Sequence, residues 1–277
     1  MALTSPRFVH KKRLVRASDG RTIHKGSRGS HVHLVQMALI DLGYPMPRSI
    51  GGNRYSPDGV FGNETKEKLI AFQNANNISE SGVIDKETML ALDHFCRDYT
   101  HQVTLHFRSL SLTSVPFRKS LENAEKIYAQ YGIKIRFGSG QSLMLSEAEE
   151  QKFNQIDGSC GWVINTGEYN ELHAMGGPVP STNILVYYVK SFSEANLLGC
   201  GGHAANRPAC TVAAEASHWD TAHEVGHVLL TSAFNPVHKN NHRRNLMYPY
   251  SSKSRRIKVL TNKQITQIRR SPCCSSI

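Results

Sequence analysis

The apolar residues of the first hundred positions recur every three or four residues, which is the spacing of helices rather than strands. The first such run consists of Val32, Val35, Leu39 and Leu42. It predicts a helix that ends at Gly43, and the same spacing predicts two more helices over residues 64–74 and 85–92. Residues 1–23 are basic and polar without periodicity, so they are predicted to form a flexible arm. Residues 24–98 are therefore expected to form a three-helix bundle.

From about residue 100 onward, the spacing of the apolar residues changes. Short segments alternate between apolar and polar positions, as half-buried strands do, and helical segments lie between them. The predicted strands are residues 103–107, 133–137 and 183–189, and the predicted helices are residues 120–131 and 261–268. This order of strands and helices predicts an α+β domain over residues 99–277. The strand at 183–189 is also predicted to be an exposed edge that aligns an extended peptide.

The second segment contains a five-residue motif, His223-Glu224-Val225-Gly226-His227. Residues four apart on a helix are rotated by about 40° and share one face, so both imidazoles can reach one metal ion. Glu224 lies next to the first ligand, where it can take a proton from a water that the metal activates. Zinc, Zn2+, is the expected ion because two or three imidazoles leave an open position for water.

The third metal ligand does not follow from this motif. No Asp or Glu occurs after Glu224, which excludes a carboxylate ligand downstream. The remaining candidates are His238, His242, the terminal cysteines Cys273 and Cys274, and an unidentified upstream residue. The residues by themselves leave these alternatives open.

The chain after the motif resembles the metzincin family, and the matrixins in particular. The resemblance rests on Asn245-Leu246-Met247-Tyr248-Pro249, which is similar to the Met-turn, and on Leu260-Thr261-x-x-Gln264-Ile265, which is similar to the helix that follows it. It implies a twisted mixed sheet, an active-site helix, a Met-turn at Met247 and a C-terminal helix. The third histidine of the family would stand at position 233, which is Ala233 here. A longer loop would make His238 the third ligand, at the family's usual interval before the Met-turn, with His242 in reserve.

Several other side chains are candidates for contact with substrate or for a crosslink. Tyr248 either polarises the scissile carbonyl or packs, as the corresponding residue usually does in the matrixin-like arrangement. The other candidates for the cleft are Trp162, Trp219 and His218, and buried packing explains the tryptophans equally well. The short Cys200–Cys210 loop is the predicted disulfide, and it stands against the alternative of free buried thiols.

The helical segment resembles the peptidoglycan-binding domain that is common in cell-wall hydrolases. The matching residues are Gly26, Gly29, Val32, Val35 and Gln36, then Leu42-Gly43-Tyr44, Asp58-Gly59-Val60-Phe61-Gly62, Ala71-Phe72-Gln73 and Gly82-Val83-Ile84-Asp85. The resemblance covers nearly the whole of residues 26–92 and implies a partner in peptidoglycan. The alternative is a helical bundle that only covers the second domain.

The net charge of +11 and the pI near 9.5 favour a polyanionic partner. Nucleic acid is not expected, because the basic residues are not interleaved with aromatics and no zinc-finger or RNP-like motif occurs. No run of apolar residues is long enough to cross a membrane. The expected partners are therefore peptidoglycan or wall peptides, whose stem peptides carry free carboxylates, and peptide or protein substrates.

These observations predict a zinc-dependent peptidase that cleaves peptide bonds in or near peptidoglycan. The alternatives are a protease of envelope proteins anchored by the wall-binding domain, and a non-catalytic wall-binding protein with a structural zinc. The N-terminus is basic but lacks the apolar core of a signal peptide. We therefore expect export by a non-classical, type VI-like route, as a toxin that acts in the periplasm or wall of a target bacterium and is countered by an immunity protein.

Overall fold

The structure is a computed structural model that describes residues 2–51, 57–111, 116–157, 159–251 and 256–277. The chain divides into two compact units. The first, called here the helical unit, consists of Met1–Thr100, Tyr128–Ile133 and Thr261–Ile265. The second, called here the sheet unit, consists of His101–Ile127, Lys134–Leu260 and Thr266–Ile277. Two short segments beyond residue 100 thus belong to the helical unit, and the predicted boundary between residues 98 and 99 stays a prediction.

The first hundred residues of the helical unit contain five described helices. They are α1 (Lys12–Ser18), α2 (Ser30–Asp41), α3 (Pro47–Ile50), α4 (Asn63–Ala75) and α5 (Lys86–Phe95). The helices α2, α4 and α5 occupy the stretches where apolar residues recur at helical spacing. The helices α1 and α3 were not predicted, because each is too short to show that spacing.

Residues 2–23 are ordered, so for these residues the prediction of a flexible arm was wrong. The side chains of Phe8 and Leu14 are fully buried. The backbone N–H groups of Thr4 and Ser5 donate hydrogen bonds to the two carboxylate oxygens of Asp93, each with a donor–acceptor distance of 2.8 Å. The reason for the error is that this segment is held by long-range contacts, which leave no periodic pattern in the local sequence.

Two glutamines explain the glycine-containing motifs of the helical unit. The side-chain amide of Gln36 donates to the Val60 carbonyl at 3.1 Å, and its oxygen accepts the N–H of Gly59 at 2.9 Å. Gln73 repeats this arrangement, since it donates to the Val83 carbonyl and accepts the Gly82 N–H, both at 3.0 Å. Each buried glutamine therefore fixes one Gly-Val turn from a neighbouring helix and supplies an acceptor for the N–H of a buried glycine, Gly59 or Gly82.

The sheet unit is built on a mixed sheet. Its strands are β1 (His101–Ser109), β2 (Ile133–Ser142), β3 (Ile184–Val189), β4 (Gly199–Cys200), β5 (Ala209–Ala213) and β6 (Ser275–Ser276). The strand order is β2-β1-β3-β5-β4, and β6 pairs with β1. The β1–β3 and β3–β5 pairs are parallel, whereas β4 runs antiparallel to β5. The observed architecture therefore mixes helices and strands, as the α+β prediction requires.

Strand β3 lies in the middle of the sheet, so its predicted role as an exposed edge was wrong. Ile184 pairs with Leu105 of β1, and Leu185 pairs with Ala209 of β5. All six residues of β3 are buried. A short strand that is apolar on both faces is typical of a strand covered on both sides, and this explains its composition better than peptide alignment does.

Helices cover both faces of this sheet. The remaining helices are α6 (Phe117–Ala129), α7 (Glu147–Phe153), α8 (Gly167–Ala174), α9 (Asp220–Leu230) and α10 (Asn262–Arg269). On one face, Leu185 and Tyr187 of β3 pack with Phe153 and Leu172 from α7 and α8. On the other face, the Tyr188 hydroxyl of β3 lies 2.9 Å from Thr221 Oγ1 of α9. Alternation along β3 thus positions α9, which carries the candidate site. Within the described ranges, no helix is long and apolar enough to cross a membrane.

Candidate metal centre

The predicted motif lies on helix α9. The carboxylate of Asp220 accepts hydrogen bonds from the Ser217 N–H at 2.7 Å and the Ser217 hydroxyl at 3.1 Å, and a negative charge in the first turn stabilises a helix. The helix ends at Leu230, and the φ of 58° at Thr231 turns the chain out of the helical path. Asp220 therefore stabilises the start of the helix that presents His223 and His227, and the turn at Thr231 marks its end.

Three imidazoles converge at one point. The Nε2 atom of His227 lies 3.1 Å from His223 Nε2 and 3.1 Å from His238 Nε2. The three donor atoms all lie within 4.8 Å of one another. Ligand nitrogens that share one tetrahedral ion, each at ~2.0–2.1 Å from it, lie about 3.3 Å apart. The spacing of His223, His227 and His238 therefore fits a shared metal ion.

His238 reaches this point because the segment after α9 folds back over the helix. The Lys239 N–H donates to the Met247 carbonyl at 2.7 Å, which anchors the residue next to His238. Ala233, at the position where the family's third histidine stands, is exposed. The reserve candidate His242 is exposed and is not a member of the converging group. The structure thus brings together His238, and not His242, with the two helix histidines.

The Met-turn segment orients His223. The Leu246 carbonyl lies 2.7 Å from His223 Nδ1, so that nitrogen carries the proton and donates, and the Nε2 lone pair faces the other two rings. Asn245 is fully buried, and its side-chain oxygen accepts the Met247 N–H at 2.9 Å. Met247 is also fully buried. This turn supplies a fixed hydrogen-bond acceptor for a candidate ligand, which is the arrangement that metal sites commonly use.

Burial keeps the three imidazoles neutral. Burial, helped by the neighbouring His238, lowers the pKa of His223 to about 4, although the hydrogen bond to the Leu246 carbonyl opposes this shift. Burial also lowers the pKa of His227 well below its usual value, as do the adjacent His223 and His238. The pKa of His238 is lowered by burial as well. Neutral imidazoles offer the lone pairs that a metal ion requires.

Glu224 is buried beside the histidines and is closely covered by a glycine-rich segment. Burial, and then the charge of Asp220, raise the pKa of its carboxyl group well above the usual value. A Cβ atom on Gly199 would collide with the Glu224 carboxylate, and a Cβ on Gly201 would collide with His227. Only glycine, which has no side chain, fits at these two positions. Residues 199–202, called here the glycine wall, therefore form a close wall over Glu224, the candidate general base.

A pocket of about 740 Å³ opens at the three histidines. Tyr248 lines it, and its ring meets that of Tyr250 edge to face at 5.5 Å. Lys258 and Asp220 also line the pocket. Tyr250, Lys258, Asp220 and the glycine wall were not predicted from the sequence. Of these, the run Gly199-Cys200-Gly201-Gly202 carried a signal, because consecutive glycines mark a close approach of backbone.

The aromatic candidates for the cleft divide into two groups. Trp162 is 37% exposed and lines the pocket, where its ring meets His227 edge to face at 5.9 Å. Trp219 is buried at the start of α9, although part of it also lines the pocket. His218 packs its ring on Trp219 at 4.6 Å and is not a lining residue. Of these three predicted cleft residues, only Trp162 therefore presents a partly exposed ring to the pocket.

The disulfide joins Cys160 and Cys200, so the predicted Cys200–Cys210 pair was wrong. Cys200 is the register partner of Thr211 on β5. Neighbouring residues of a strand point to opposite faces, so Cys210 points away from Cys200. Cys210 is a buried free thiol. The short loop suggested the wrong partner because the faces of β5 depend on the strand register.

Comparison with known families supports the assignment of the helical segment. Residues 28–92 match the family model described as "Putative peptidoglycan binding domain". This match confirms the predicted resemblance over those residues.

Among curated proteins, the chain is 32% identical over 76 residues to a "Probable N-acetylmuramoyl-L-alanine amidase" of Bacillus licheniformis. That stretch covers 27% of this chain and 20% of the relative, so the chain spans about a fifth of the relative's length.

Two solved structures show partial likeness. A peptidoglycan-binding protein from Clostridioides difficile, in complex with glutamine hydroxamate, is 27% identical with a TM-score of 0.24, over 28% of this chain and 43% of that chain. Metalloproteinase-II from Bacteroides fragilis is 10% identical with a TM-score of 0.38, over 64% of this chain and 54% of that chain.

Proposed function

We propose that the sheet unit is a zinc-dependent peptidase that the helical unit directs to the bacterial cell wall, where it cleaves peptide bonds in or near peptidoglycan. The observation that carries this proposal is the convergence of His223, His227 and His238 beside the buried carboxylate of Glu224, at the floor of an open pocket. The family match of residues 28–92 supports the wall as the location.

The donor set favours zinc over harder cations. Three neutral imidazoles, without a carboxylate among them, suit zinc, whereas magnesium and calcium prefer oxygen ligands. Three protein ligands also leave a position open, as catalytic zinc sites do and structural sites do not. When bound, zinc supplies a Lewis acid that polarises a carbonyl group and lowers the pKa of water toward ~7.

Glu224 is the general base and then the general acid of the proposed reaction. A carboxylate whose pKa is raised by burial is a stronger base than an exposed one, so it accepts a proton from the attacking water more readily. The same carboxyl group then delivers that proton to the leaving nitrogen. The glycine wall packs closely against one side of the Glu224 carboxylate.

Two features of the pocket suit an anionic peptide. Lys258 is a buried lysine among the lining residues, and its ammonium group donates to the Arg243 carbonyl at 3.0 Å. The chain also contains no acidic residue after Glu224, so the segments that follow α9 contribute a positive field. Stem peptides of peptidoglycan carry several carboxylates, which this field attracts. Tyr248 at the pocket wall is placed to contact the same peptide, and polarisation of the scissile carbonyl remains its proposed role.

The substrate is tested by incubating the zinc-loaded protein with purified peptidoglycan and, separately, with casein. New amino groups released from peptidoglycan, with soluble fragments identified by mass spectrometry, are the expected result, and a Glu224→Ala variant should release none. Cleavage of casein alone would instead favour a protease of envelope proteins. One tightly held zinc with no cleavage of either substrate would favour a non-catalytic wall-binding protein.

The place of action follows from the same proposal. The Cys160–Cys200 disulfide suits an oxidising compartment such as the periplasm. An enzyme that is injected into a neighbouring bacterium as a toxin, and that is blocked by an immunity protein in the producer, would fit this location. Expression targeted to the periplasm should then be toxic, and Glu224→Ala should abolish the toxicity. Equal growth with either targeted protein would contradict the toxin role.

A further inference from the structure

A short segment lies directly beside the glycine wall. Residues 160–164, called here the clamp segment, are joined to Cys200 by the disulfide of Cys160. Val163 and His203 form a parallel β-bridge. The Ile164 N–H donates a hydrogen bond to the His203 carbonyl at 3.2 Å, and the His203 N–H donates one to the Trp162 carbonyl at 3.4 Å. One covalent bond and two long hydrogen bonds thus hold the clamp segment against the end of β4.

The clamp segment is in close backbone contact with this wall. A Cβ atom on Gly202 would collide with the carbonyl oxygen of Gly161. On its other side, the same wall lies against α9, where Gly201 leaves no room for a side chain beside His227. The clamp segment, the glycine wall and helix α9 therefore form three layers. The first two meet through backbone atoms, and the glycine wall in turn packs on His227, a candidate metal ligand. Because no flexible side chain lies between the clamp segment and the glycine wall at this contact, a shift of the clamp segment also moves the wall of the pocket.

Trp162 is the side chain that the clamp segment presents to the pocket. It is 37% exposed, and its ring edge faces the ring of His227 at 5.9 Å with an interplanar angle of 68°. Cys160 and Gly161 line the same pocket. A large, partly exposed indole next to a candidate metal ligand offers apolar area that a peptide can cover, and tryptophan is enriched where such contacts contribute most to binding.

We propose that Trp162 is a substrate-binding side chain and that the Cys160–Cys200 disulfide holds it in place, so that cleavage depends on the oxidised state of this pair. The ligand is the peptide segment adjacent to the cleaved bond. This inference rests on the proposed function, because it names a further residue of the same site and a condition under which that site binds its substrate.

The redox step is a thiol–disulfide exchange. A dithiol or phosphine reductant gives two electrons to the disulfide, the S–S bond breaks, and Cys160 and Cys200 each take up a proton to become thiols. A dithiol reductant becomes a disulfide, and a phosphine takes up oxygen from water to become a phosphine oxide. In the reverse direction, the two thiols pass two electrons and two protons to the disulfide of an oxidant, which is the kind of protein that oxidising compartments supply.

The other described cysteines do not compete in this exchange. Cys96, Cys210, Cys273 and Cys274 are buried free thiols. Burial raises the pKa of Cys96, Cys273 and Cys274 to about 11, so few of these thiols ionise near neutral pH. A mild reductant therefore acts on one bond, the one beside the pocket.

The first experiment compares the oxidised and reduced wild-type enzyme, with zinc content measured in both. The substrate is a peptidoglycan stem peptide or whichever substrate the wild-type protein cleaves. Reduction with a phosphine should raise KM about tenfold and leave kcat less affected, since a binding contact is lost. The Cys160→Ser/Cys200→Ser variant should show the raised KM without reductant and no further change with it. Trp162→Ala should raise KM similarly, and reduction should add little to that effect.

A second measurement does not need activity. The fluorescence of the wild-type protein should shift to longer wavelength and become more accessible to acrylamide on reduction, and reoxidation should reverse the change. A Trp162→Phe variant, which keeps the buried Trp219, should lack this response. Glu224→Ala should retain it, so a failure of the proposed hydrolysis remains distinguishable from a failure of this inference.

Three results would overturn the proposal. The first is an unchanged KM and an unchanged fluorescence after reduction has been verified by thiol counting. The second is a rise in the KM of the Trp162→Ala variant on reduction that is as large as the rise in the wild-type protein, because the disulfide would then act independently of Trp162. The third is loss of zinc or of cooperative unfolding on reduction, since the disulfide would then serve the fold and not the position of Trp162.

Discussion

Glycines shape both units of this protein, but for different physical reasons. In the helical unit, Gly59 and Gly82 have φ angles of +69° and +64°, which side chains rarely adopt, and each donates its N–H to a buried glutamine. In the sheet unit, Gly199 and Gly201 are needed because α9 side chains occupy the space where a Cβ would lie. The first kind of glycine serves local conformation and stability, whereas the second serves the geometry of the site.

The largest expected effect that separates the two kinds is that of Gly199→Ala. The added methyl group collides with the carboxylate of Glu224, so the carboxylate must move away from its position beside the histidines. We expect kcat/KM to fall about a hundredfold, since displacement of a general base costs on that order. Gly140→Ala is the matched control, because its Cβ makes only ordinary contact with Phe137. Equal activity of the two variants would show that the wall is not tight at Glu224.

The next effect concerns the glutamine that fixes the second turn. Gln73→Ala leaves the buried Gly82 N–H and Val83 carbonyl without partners, at a cost of about 2 kcal/mol in the free energy of unfolding of the helical unit. Chemical denaturation measures this change, and hydrolysis of a short soluble peptide should stay at the wild-type rate. The neighbouring Asn74→Ala removes only an exposed bond to Glu80 and should cost less than about 0.5 kcal/mol. Similar stabilities of both variants would contradict the role of Gln73.

Gly82→Ala tests the conformational kind of glycine directly. A φ of +64° strains a residue that has a Cβ, and the added methyl group also meets the flexible side chain of Lys66, which must shift, so we expect a loss of at least about 1 kcal/mol in the stability of the helical unit and no change in hydrolysis of the soluble peptide. Gly62→Ala is the control, because Gly62 has a φ of −89° and open space around its Cβ position. A loss of activity in Gly82→Ala would break the division between the two kinds.

The smallest expected effect is a pH dependence of the sheet unit. Burial, and then Arg207, lower the pKa of His173 to about 3. Its ring stacks on that of Tyr187, and its Nε2 atom is hydrogen-bonded to Thr211 Oγ1 at 3.0 Å. The unfolded chain takes up a proton near pH 6.5 while the folded chain does not, so stability is full above that pH and falls as pH falls toward about 3. Between pH 7.5 and 6.0 this histidine alone should account for about 0.8 kcal/mol of lost stability.

His173→Gln removes this contribution and should flatten the fall in stability at acid pH. Denaturation of the metal-free protein at several pH values isolates the effect, since the other buried histidines are the same in both proteins. Identical slopes for the two proteins would mean that His173 is already protonated in the folded state.

The sequence predicted those features that depend on residues close to one another along the chain. The helices α2, α4 and α5, and the pairing of His223 with His227, follow from spacing that a single helix enforces. His238 was predicted from its interval before the Met-turn, and the structure places its Nε2 3.1 Å from that of His227, although its role as a ligand stays a prediction. What the sequence missed depends on distant segments. The order in residues 2–23, the central place of β3 and the Cys160–Cys200 pair each arise from contacts that no local pattern encodes.

The most direct test of the metal centre is the zinc content and zinc affinity of two single variants, His238→Ala and His242→Ala, beside the wild-type protein. The wild-type protein should bind one zinc per chain. His238→Ala should bind it more than about a hundredfold more weakly, because a directly coordinating nitrogen is lost, while His242→Ala should match the wild type. Undiminished affinity in His238→Ala, or a loss confined to His242→Ala, would contradict the three-histidine site.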